Sequence, residues 1–153
     1  DPVKLVKDLG FDSVTSYVWI HHYSLPQLQT DYNQARDGYF RYWDGAKDKF
    51  GVPYFPNVTM GWDPSPRTAQ DDEYGNFRYP FMNTIGGNTP ARFKEALELT
   101  KQRLLANPNG PRIMNINCWN EWTEGSYLEP DTQNGMGYLE AVRDVFGTAP
   151  KPK

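Results

Sequence analysis

The sequence predicts an α/β fold, and within that class the C-terminal part, about three βα units, of a (β/α)8 TIM barrel. Helical and extended patterns alternate along the chain, which argues for parallel strands joined by right-handed helical crossovers. The residues able to do chemistry gather in the segments after each strand pattern, where a barrel keeps its active site. The 153 residues open inside a helical pattern and supply three strand patterns, whereas a whole barrel takes about 250 residues. The expected division is one barrel-derived unit over residues 1–147 and a flexible, Pro/Lys-rich tail over 148–153.

Val3, Leu5, Val6 and Leu9 fall near helical spacing, and Gly10 stops that helix. Residues 11–19 carry Val14, Tyr17, Val18 and Trp19 and predict a strand. After a loop with His21, His22 and Pro26, residues 32–50 place Tyr39, Trp43, Ala46 and Phe50 along one helical face, closed by Gly51. A second strand is predicted over 53–60. A long polar loop then runs from Gly61 to about Thr89, and its Trp62, Tyr74 and Tyr79 favour a functional segment. Thr89-Pro90 opens the next helix as N-cap and first turn, continued by Phe93, Ala96, Leu97 and Leu104. A third strand is predicted over 113–119 and a last helix over 135–146.

Composition removes several classes of function. A net charge of −3 with 23% charged residues offers no basic surface for nucleic acid. No apolar run is long enough to span a bilayer, and no Gly-rich phosphate loop follows a strand pattern. The single cysteine, Cys118, allows neither an internal disulfide nor a cysteine metal cluster, and its place at a strand end suggests a small buried apolar group. The only histidines, His21 and His22, are adjacent, a poor metal pair because neighbours on a strand point to opposite faces. Neither metal nor cofactor is expected. The sequon Asn57-Val58-Thr59 lies in a strand pattern and is set aside. Aromatic residues reach 15%, with five Trp and ten Tyr. Such rings either fill a core or stack on flat, partly apolar ligands such as sugars.

The most informative segment is 117–131, Asn-Cys-Trp-Asn-Glu-Trp-Thr-Glu-Gly-Ser-Tyr-Leu-Glu-Pro-Asp. Glu121 and Glu124 are three apart, so one helical turn sets them side by side, about 5–6 Å between Cβ atoms. Paired carboxylates framed by rings suit acid–base chemistry on a sugar. A solvated surface pair or a capping pair is the ordinary alternative. Asn120 either caps a turn or bonds substrate or a glutamate; Trp119 and Trp122 either fill the barrel or form a sugar platform. Beyond the second strand, Trp62, Asp63 and Arg67 are candidates for binding sugar hydroxyls, with an Asp63–Arg67 pair as the alternative. Tyr17, at the end of the first strand, is either core or site. Glu129 and Asp131 are expected to shape their loop.

Asn120-Glu121-Trp122-Thr123-Glu124-Gly125, followed by Tyr127-Leu128-Glu129-Pro130-Asp131, resembles the signature of the glycoside hydrolase family 99-like group, which includes endo-α-mannosidases and WbsX-type polysaccharide proteins. Gly10-Phe11-Asp12 with Ser16-Tyr17, Pro56-Asn57-Val58 with Gly61-Trp62-Asp63 and Arg67, and Gly137-Tyr138-Leu139-Glu140-Ala141 are similar in the same order. The resemblance implies a (β/α)8 glycoside hydrolase acting on α-linked glycan or polysaccharide, with this chain giving its last strands and the missing N-terminal part of the barrel as its partner. It implies that Glu121 assists the substrate 2-hydroxyl, which attacks the anomeric carbon to give a 1,2-anhydro sugar. Glu124 would protonate the leaving oxygen and then activate water, with net retention, and Tyr17 would lie near the attacking hydroxyl. Family 99 enzymes often carry histidine where Thr123 stands, so the resemblance leans to the broader, WbsX-like part of the group. A periplasmic or extracellular place follows for a glycan-degrading enzyme, and the 153 residues alone are expected to be inactive. The alternatives are a non-catalytic carbohydrate-binding protein and a role in polysaccharide biosynthesis.

Overall fold

Helix α1 (Pro2–Leu9) starts where the Asp1 carboxylate accepts from the Val3 amide at 2.9 Å, and it ends at Gly10 in the left-handed region, φ 68°. The computed structural model describes residues 1–75 and 77–147; the tail expected to be flexible, 148–153, lies outside them. The remaining main helices are α2 (Tyr32–Phe50), α3 (Pro90–Ala106) and α4 (Gly137–Phe146). Thr89 caps α3 and Pro90 takes its first turn, as their side chains dictate.

Strand β1 (Val14–Thr15) pairs in parallel with β3 (Tyr54–Phe55), and β4 (Asn57–Val58) pairs in parallel with β6 (Asn115–Ile116). Pro56 separates β3 from β4 because it has no amide to give, yet its carbonyl accepts from Asn115 at 3.0 Å. The run 54–58 is thus the middle of three parallel segments in sequence order, reached through α2 and α3. The ladders are shorter than the predicted strands. Apolar alternation continues past the last paired residue, and 19–21 closes into a 3-10 turn. Four short strands went unpredicted: two in a later hairpin, and β2 (Gln29–Asp31), which pairs in parallel with β5 (Thr84–Gly86). The arrangement is α/β, and among the described residues the sheet does not close into a barrel.

One face of the strand layer is packed by the helices. Trp19, Tyr32, Tyr39, Val58, Phe93 and Leu97 are fully buried there. Polar tips of these rings set the register. Trp19 Nε1 donates to the Asn57 carbonyl at 2.9 Å, the Tyr32 hydroxyl donates to the Thr59 carbonyl at 2.7 Å, and the Tyr39 oxygen accepts from the Asn57 amide at 2.8 Å. α4 docks on α3 through Phe93 and Tyr138, whose ring centroids are 5.5 Å apart and tilted at 64°.

The other face is open. Thr15 and Tyr17 are exposed, and Phe55 and Asn115 are half-buried. Asn115 Oδ1 lies 2.9 Å from Thr15 Oγ1, and its Nδ2 donates to the Ser16 carbonyl at 2.8 Å. These residues come from the two outer strands, which in a flat sheet stand roughly 10 Å apart. Such short side chains meet across the middle strand only because the layer curves, with the open face concave.

Candidate functional site

β6 leads into a hairpin, β7 (Asn120–Glu121) and β8 (Ser126–Tyr127), whose connection is a 3-10 turn over Trp122–Glu124 ended by Gly125 at φ 59°. Glu121 closes the strand and Glu124 closes the turn, so they project to a common side without an α-helix. The turn is locked onto the start of the long loop. The Asp63 amide donates to the Glu124 carbonyl at 2.7 Å, and Ser126 Oγ donates to the Gly61 carbonyl. A Cβ at position 61 would sit 2.5 Å from the Gly125 carbonyl oxygen, so only glycine permits this approach.

That lock delivers Arg67, at the end of a short 3-10 turn (Ser65–Arg67), to the glutamates. One guanidinium nitrogen lies 2.5 Å from Glu121 Oε1 and 3.6 Å from Glu124 Oε1. Arg67 Nε donates to Thr123 Oγ1 at 2.8 Å, and Thr123 Oγ1 donates in turn to Glu121 Oε1 at 3.2 Å. A single cation therefore holds two carboxylates that would otherwise repel at this separation. Asp63 does not pair with Arg67. Its carboxylate accepts from the Ser65 amide at 3.0 Å and shapes the turn.

Glu121 is half-exposed and Glu124 is buried. Two phenols reach Glu124: Tyr79 donates to Oε1 at 3.0 Å, and Tyr17 lies 3.4 Å from Oε2. Burial first, and then the bond to Glu124, push the Tyr79 phenol up. Burial first, then Cys118 and the glutamates, do the same for Tyr17. Both therefore remain protonated donors at neutral pH. Cys118 Sγ is 2.9 Å from the Tyr17 oxygen; the thiol is half-buried and packs against the edge of the apolar core.

The other candidates spread around this centre. Trp62 is buried, bridges to Ile85 and faces the Tyr79 ring at 6.3 Å. Trp119 is 52% exposed, which excludes a filling role for it among the described residues. Trp122 stacks on Tyr127 at 3.9 Å and donates to Glu129 Oε2 at 2.9 Å, so Glu129 fixes a ring rather than facing a ligand. Asn120 is exposed and pairs with Tyr127 through the hairpin backbone. Asp131 accepts from the Gln133 amide at 2.8 Å and shapes its turn. Beside Glu124 lies a cavity of about 440 Å³, lined by Tyr17, His21, Trp62, Phe77, Arg78 and Tyr79 among others. The described residues contain no group of His, Cys, Asp or Glu fit to hold a metal ion, and no described helix is long and apolar enough to cross a membrane. Tyr79 and Thr123 were not singled out as site residues from sequence. Their only signals were an aromatic in a long loop and a position between two glutamates.

A family model described as glycosyltransferase WbsX matches residues 11–142. Two proteins described as uncharacterized protein WxcX, from two strains of Xanthomonas campestris pv. campestris, are each 38% identical over 97 residues. That stretch is 63% of this chain and 12% of each relative, so the chain spans a small part of their length. No solved structure matches. Since the family match takes in all three parallel strand segments and the glutamate hairpin, the chain belongs to the WbsX family, a glycan-related group.

Proposed function

We propose that the chain carries the acid–base wall of a glycan-processing active site, with Glu121 and Glu124 as the catalytic pair. The observation that carries this reading is the single Arg67 guanidinium reaching both carboxylates, beside a cavity walled by Trp62 and Tyr79. Glu124, buried and reached by two phenols, is the proton carrier at the glycosidic oxygen. Glu121, half-exposed and flanked by Thr123, is the base at a substrate hydroxyl. Two carboxylates on one wall suit a hydroxyl neighbouring the anomeric centre as nucleophile. That hydroxyl loses its proton to Glu121 as its oxygen bonds to the anomeric carbon, and the leaving oxygen takes the proton of Glu124. Water then gives a proton to Glu124 as its oxygen bonds to the anomeric carbon, the bond from that carbon to the 2-oxygen breaks, and the 2-oxygen takes its proton back from Glu121, giving hydrolysis with retention. Tyr17, Trp62, Asp63, Trp119, Asn120 and Trp122 form or brace the surrounding sugar-binding surface.

The framework of this reading is a (β/α)8 barrel to which residues 1–147 contribute three consecutive βα units. Sequential parallel strands, a concave open face and chemistry at the strand carboxyl ends support it. The rest of the barrel, elsewhere in the protein, would pair with β1 and β6 and cover that face. The family description favours a second reading of the same residues, in which the acceptor is a growing polysaccharide instead of water.

Full-length protein is offered α-linked oligosaccharides, with and without activated glycosyl donors. Release of reducing ends marks hydrolysis, and chain growth marks transfer. Either activity is expected to fall about 10²–10⁴-fold in Glu124→Gln and in Glu121→Gln, with glycan binding retained. Unchanged turnover in both variants sinks the proposal.

A further inference from the structure

The cavity beside Glu124 has a charge feature that acid–base chemistry on a neutral sugar does not use. Its volume, about 440 Å³, is of the size that small-molecule sites occupy. Trp62, Phe77 and Tyr79 give it aromatic walls, and the buried carboxylate of Glu124 is also in its lining. His21 and Arg78 are also in its lining, and both are exposed. Arg67 is already engaged with Glu121 and Glu124, and among the described residues no carboxylate pairs with Arg78. The arrangement therefore has two distinct cationic positions. Arg67 is engaged by the glutamates, while Arg78 is an exposed guanidinium in the cavity lining with no carboxylate partner among the described residues.

An unpaired guanidinium in a cavity lining is suited to one ligand chemistry above others. It offers parallel N–H donors that match a carboxylate or a phosphate group in a two-point bond. His21, the other exposed polar ring in the lining, adds a ring nitrogen, and its ring lies 6.0 Å from that of Tyr17, which reaches Glu124. Apolar walls beneath exclude water from such a bond and raise its worth. The glutamates oppose an anion beside Glu124, so the polarity fixes an orientation: reacting sugar toward Glu124, anionic group toward Arg78.

We propose that this cavity selects a sugar unit bearing an anionic substituent, a carboxylate or a phosphate, which Arg78 and His21 hold while the ring rests on the aromatic walls. The proposal deepens the catalytic reading above, since it names the substrate class of the same site. The shared chemistry has two sources, a uronic acid unit within a polysaccharide or the phosphate of a glycosyl phosphate, and these separate in the test.

Binding of methyl glucuronide, glucose 1-phosphate and methyl glucoside to the full-length protein is measured by titration calorimetry, in the wild type and in the Glu124→Gln background. At least one anionic probe is expected to bind tenfold or more tightly than the neutral glucoside. Arg78→Gln is expected to erase that preference, and Arg78→Lys to restore part of it. A glucuronide preference identifies the carboxylate source, and a glucose 1-phosphate preference the phosphate source. Equal affinity for all three probes, or a preference that survives Arg78→Gln, overturns the proposal. The readout is binding alone, so it stands or falls separately from turnover. Anionic selectivity without any Glu124-dependent turnover would leave this inference intact and remove the catalytic one. Glu124-dependent turnover without anionic selectivity would do the reverse.

Discussion

At the starting ends of β3 and β6 a cavity of about 900 Å³ is lined by Trp43, Asp44, Tyr54, Arg103 and Asn107 among others. At their finishing ends the cavity beside Glu124 has about 440 Å³. The larger space is not the better candidate. Its cation is consumed by structure: Arg103 pairs with Asp44, and its guanidinium lies 4.9 Å from the ring centroids of both Phe40 and Trp43. At the smaller cavity, one guanidinium is shared by two carboxylates, and two phenols converge on one of them. Local charge there is crowded beyond what packing needs, which is what the proposed function rests on. Volume follows from how helix ends happen to diverge, whereas convergence of titratable groups from distant segments has to be built.

The contrast is broken most directly by removing each arginine in turn. Arg67→Gln is expected to lower turnover of the full-length protein by about 10²-fold, because the glutamates lose the group that fixes their mutual position. The melting temperature should barely change, since the pair is partly exposed. A full-activity Arg67→Gln variant would mean that the guanidinium is incidental to the chemistry. Arg103→Ala is expected to show the opposite pattern: a loss of roughly 1–2 kcal/mol in denaturant unfolding, through its contacts to two rings, with turnover unchanged. If Arg103→Ala abolished turnover while leaving stability intact, the assignment of the two ends would have to be exchanged.

The smallest effect concerns His22, which is half-buried against Tyr42 with ring centroids 4.2 Å apart. Burial first, then neighbouring His21 and Lys49, lower its pKa from 6.5 to about 4. The unfolded chain then binds this proton more readily than the folded one. Its contribution to stability is complete above about pH 6.5 and is lost as the pH falls toward about 4. A His22→Phe variant should flatten the unfolding midpoint across that window. An unaltered pH profile would show that His22 does not set it.

The helices were readable because their signals are local. Gly10, Gly51 and the Thr89-Pro90 pair stand at observed boundaries, and 32–50 has both the predicted limits and the predicted buried Tyr39 and Ala46. Strand limits were overdrawn: at 11–19 alternating burial continues from Thr15 to Val18 beyond the ladder, and at 113–119 the ladder takes only Asn115 and Ile116. β2 and β5 were invisible, being three residues each, with Thr30, Ile85 and Gly86 as their buried residues. The glutamate pair was legible from its block, but its environment was not. Arg67 meets Glu121 across 54 residues and Tyr79 meets Glu124 across 45, and no local pattern encodes such contacts. The Asp63–Arg67 pairing offered by sequence proximity gave way because the turn needs Asp63 for its own backbone.

The close approach of Gly61 to Gly125 has a thermodynamic consequence for recognition. It fastens the base of the segment bearing Arg67 to the turn bearing Glu124 through the Asp63 amide, the Gly61 carbonyl and the Ser126 hydroxyl. The ordering entropy of that part of the wall is therefore lost when the chain folds, not when a ligand arrives. A ligand docking as proposed against Glu121, Glu124 and Arg67 meets a surface already set. Its association should carry a smaller entropic penalty than docking on a wall that has to be ordered by the ligand.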